Sequence, residues 1–61
     1  MELADRDICE AYDQLMNEMD PDQAAAVVAV RVGWADNTRS VHWTDIQRIN
    51  DMYDEWLNEK R

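Results

Sequence analysis

The 61-residue chain predicts an all-α fold, a compact three-helix bundle, on three observations. It contains one glycine and one proline, so few positions interrupt a helix. Asp20-Pro21-Asp22-Gln23 and Thr44-Asp45-Ile46-Gln47 both read as capping boxes that start helices. Apolar residues also recur at steps of three and four near both ends of the chain. Residues 1–61 are expected to form one small acidic domain, because a chain this short buries only about 60% of the surface it exposes when unfolded.

The first helix is expected from about Leu3 to Met19, where Ala4, Ile8, Tyr12, Leu15 and Met19 share a stripe with Ala11 and Met16 at its edges. Its opposite face is acidic. Asp7, Glu10 and Asp13 follow at intervals of three, a like-charge spacing that slightly destabilises an isolated helix, and Glu2 with Arg6 is the one favourable pair.

The second helix is expected to begin with Asp20 as cap, Pro21 at the first helical position and Gln23 as the capping-box partner. From Ala24 to Val32 the segment is apolar except for Arg31, so it should be the most buried element. Gly33 can end it in a left-handed cap with Trp34 folding back. The same residues admit a second reading. Val28, Val30, Val32 and Trp34 alternate with Val27, Ala29, Arg31 and Gly33, which suits a strand. A short hairpin within residues 27–44, turning at Asp36-Asn37, would then give an α-β-β-α arrangement. The capping box and the Ala24-Ala25-Ala26 run favour the helix.

After a polar connection from Ala35 to Trp43, Thr44 is expected to cap the third helix, which runs to about Glu59. Ile46, Ile49, Met52, Tyr53, Trp56 and Leu57 form its apolar stripe, and Asp51, Asp54, Glu55 and Asn58 its polar face. Asp45 at its start and Lys60 with Arg61 at its end complement the helix dipole.

Fourteen acids against six Lys and Arg give a net charge of −8. Residues 1–22 hold eight acids and one base, residues 23–44 one acid and two bases, and residues 45–61 five acids and three bases. Direct binding to nucleic acid or an anionic membrane is disfavoured, since such binding depends on cationic side chains displacing counterions. A basic protein surface is the complementary partner, although charge on a small protein also serves solubility. The opening residues lack the basic and apolar regions of a secretory signal, and no apolar run approaches the roughly 18 residues of a membrane span. A cytoplasmic location is the expectation.

Catalytic and metal-binding constellations are scarce. Cys9 and His42 are the only thiol and imidazole, too few ligands for a structural zinc, and no flanking motif marks either as activated. Cys9 lies at the edge of an apolar stripe and reads as a small hydrophobe. Asp5–Asp7 and Asp20–Asp22 lack the glycine and terminal glutamate of a calcium loop. With carboxylates so abundant, no single pair is distinctive. The expectation is a protein that is not an enzyme and carries no cofactor.

Trp56 and Tyr53 belong to a core stripe. Trp34 and Trp43 bracket the polar connection, and with Arg39 and His42 they form a candidate contact patch, unless Trp43 is a lid over the end of the bundle. His42 reads as a surface residue. Carboxylates on successive helical turns lie about 5.4 Å apart, against about 3.4 Å per phosphate along one DNA strand, a loose match that two adjacent helices widen into a negative surface.

In size, charge and lack of a catalytic constellation the chain resembles the small acidic proteins with which bacteriophages and other mobile elements block host defence enzymes, including anti-CRISPR proteins. The resemblance implies a class and carries over no functional residues. It implies a stoichiometric inhibitor that blocks the positively charged nucleic-acid channel of a host enzyme or complex by DNA mimicry. Glu10, Asp13, Asp51, Asp54 and Glu55, with Trp34 and Trp43, are the expected partner-binding residues. The alternative is a structural or adaptor module that forms a homodimer through the valine- and tryptophan-rich segment.

Overall fold

A computed structural model describes residues 4–60. It contains three α-helices, α1 (Asp5–Leu15), α2 (Pro21–Val32) and α3 (Trp43–Lys60), with a 3-10 turn at Thr38–Ser40 before α3. Each helix packs against the other two. The three-helix bundle is therefore the fold, and the hairpin alternative is not: residues 27–32 are helical, and there is no strand among the described residues. Pro21 supplies a pre-set φ at the first position of α2 and three alanines extend it, which outweighs the strand preference of its valines.

Gly33 closes α2 in the left-handed region at φ 92°. Its amide donates to the Val30 carbonyl at 3.1 Å and the Trp34 amide to the Ala29 carbonyl at 2.9 Å, the two crossed bonds of a Schellman cap. Two other expected caps take a different form. The Asp20 side chain makes no capping hydrogen bond; its carbonyl accepts from the Ala24 amide at 2.8 Å. Helix α3 starts one residue before Thr44, because the Asp45 and Ile46 amides both donate to the His42 carbonyl, at 3.0 and 3.3 Å, and Thr44 falls inside the first turn.

Helix α1 is shorter than the expected Leu3–Met19. It ends at Leu15, where the Asn17 amide donates to Gln14 and the Glu18 amide to Leu15, tightening the backbone into a turn that still returns Met16 and Met19 to the core. Leu3, the Glu2–Arg6 pair and Arg61 lie outside the described residues. Between α2 and α3, Asn37 Oδ1 accepts from the Arg39 and Ser40 amides and from Ser40 Oγ at 3.0–3.2 Å, so part of the expected irregular connection is a defined turn.

Ile8, Tyr12, Ala24, Ala25, Val28, Ala29 and Ile49 form the core. Helix α2 contributes four of these seven and three of the four are alanine, so its small side chains let α1 and α3 approach closely. Every carboxylate-rich face is thereby left to α1 and α3.

Candidate functional site

Helices α1 and α3 run antiparallel. Tyr12 of α1 meets Asn50 of α3, Asp13 meets Tyr53, and toward the other end Cys9 lies beside Met52 and Trp56, and Asp5 beside Glu59. The contact is partly polar. The Tyr12 hydroxyl, almost fully buried, donates to Asn50 Oδ1, and Tyr53 donates to Asp13 Oδ1 at 2.6 Å. The two tyrosine rings meet edge to face with centroids 5.0 Å apart.

The charge is divided unequally among the helices. Four acids and one base lie on α1, five acids and two bases on α3, and one of each on α2. Helices α1 and α3 thus each carry a net charge of −3, while α2 is neutral. Among the described residues the one ion pair is Arg6 Nε with Glu10 Oε1 at 3.4 Å, well exposed and hence of small energetic value.

All five carboxylates expected to bind a partner, Glu10, Asp13, Asp51, Asp54 and Glu55, are exposed. They do not form one uniform array. Asp51 and Glu55 recur four residues apart with Glu59, so all three share one stripe of α3. Asp54 lies off that stripe, where its field, with that of Asp22, reaches the Tyr12 hydroxyl and adds to the effect of burial in raising that group above its ordinary pKa. Asp13 and Glu10 are engaged within the chain, by Tyr53 and Arg6.

Between α1 and α3 runs a groove of about 280 Å³. Cys9, Met52 and Trp56 supply its apolar surface, and the exposed carboxylates Asp5, Glu55 and Glu59 stand around it. Cys9 is 2% exposed, and burial, then the fields of Asp5 and Glu59, push its thiol above the ordinary value. A raised thiol pKa disfavours the thiolate and hence nucleophilic chemistry. His42 cannot assist it: Cys9 lies beside Trp56, thirteen helical residues, or about 20 Å, beyond the end of α3 that His42 adjoins. A second depression along α3 is lined by Asp51 and borders Met52 and Glu55 as the groove does.

The tryptophans occupy three environments. Trp34 is half-buried against the core, with the Arg48 guanidinium 5.0 Å from its ring centroid. Trp56 is half-buried under Lys60 Nζ at 3.9 Å and tilts against Tyr53. Trp43 is 61% exposed at the start of α3, beside exposed His42, and does not close the end of the bundle as a lid. In α2, Val28 is buried in the core, while Val27, Val30 and Val32 are half-buried.

Asp5 and Glu59 were not among the residues expected from sequence to bind a partner. The four-residue spacings Asp5–Cys9 and Glu55–Glu59 carried the signal, but which flank of α1 faces α3 is a tertiary fact. No family model matches the chain, and no curated protein or solved structure shows a match to it.

Proposed function

We propose that this protein is a binding protein that occupies a cationic, nucleic-acid-binding surface of another macromolecule and thereby inhibits it. The observation that carries this reading is the gathering of negative charge on adjacent helices α1 and α3 while α2 carries no net charge. A positively charged channel attracts such a surface by the same long-range field that brings nucleic acid to it. Block of a host defence enzyme, of the kind the acidic phage inhibitors perform, is the biological setting proposed.

Capture from the source cell, repeated at low and high salt, is the test. Captured proteins should bind nucleic acid, lose it when the chain is added in stoichiometric amount, and be released by salt. A partner that resists salt and holds nucleic acid unchanged contradicts the proposal.

A further inference from the structure

We draw no further inference here: the strongest candidate, the surface patch formed by exposed Trp43 beside His42 at the start of α3, carries nothing because nothing in the structure shows what covers it.

Discussion

The Tyr53 hydroxyl donates to Asp13 Oδ1 at 2.6 Å, joining α3 to α1 through a neutral donor and an acidic acceptor. That bond, first, and then burial and the charge of Asp13 raise Tyr53 from 10.0 to about 12. The buried Tyr12 is raised in the same direction by burial, Asp22 and Asp54. A group whose folded pKa is raised contributes stability that is fully present below its unfolded pKa and is lost as pH rises through the folded value. Stability should therefore hold to about pH 10 and fall between there and about pH 12. Asp13→Asn should bring Tyr53 back toward its ordinary titration, seen as tyrosinate absorbance appearing at lower pH.

Gly33 predicts a cost that is purely one of backbone. A Cβ there would meet nothing within 4 Å, yet φ is 92°, a region that residues with a side chain rarely adopt. Gly33→Ala should destabilise the fold by about 1 kcal/mol in urea unfolding, with no change in the groove.

Ile49 and Trp43, both on α3, predict opposite outcomes for truncation. Ile49 is fully buried among all three helices, so Ile49→Ala should cost about 2–5 kcal/mol, enough to unfold much of so small a domain. Trp43→Ser removes a larger side chain that is 61% exposed and should move the thermal midpoint little, because the cost is about 0.5 kcal/mol or less. Circular dichroism melts compare the two directly.

Arg48 stands over Trp34 at 5.0 Å, tying α3 to the residue that follows the C-terminal cap of α2. Arg48→Ala should lower stability by about 0.5–1 kcal/mol and alter tryptophan fluorescence. Arg48→Lys should recover only part of the loss, since an ammonium lacks the planar face.

Much of the fold was legible because its signals agree across levels. Pro21 and Gly33 bracket α2 in sequence as they do in space, and the stripe from Ile46 to Tyr53 faces the core, whereas Trp56, expected on the same stripe, lies in the groove. The end of α1 was not legible: Met16 and Met19 continue the apolar spacing, and a turn that folds them inward leaves the same pattern as a longer helix. Asp20 had the right identity for capping, but a side-chain cap depends on a rotamer that a sequence does not specify, and Thr44 falls one residue inside the helix. The placement of the carboxylates was half legible. Asp51 and Glu55 were visible as a stripe, whereas the placement of Glu59 and Asp5 around one groove and the engagement of Asp13 by Tyr53 depend on how α1 lies across α3.

The most direct measurement is the salt dependence of affinity for the captured partner, for the chain itself and for a folded variant with Asp51→Asn, Asp54→Asn and Glu55→Gln. If opposite charges hold the complex together, affinity falls steeply with salt, and the variant binds more weakly with a flatter slope. The same affinity and the same slope in both proteins would contradict the account.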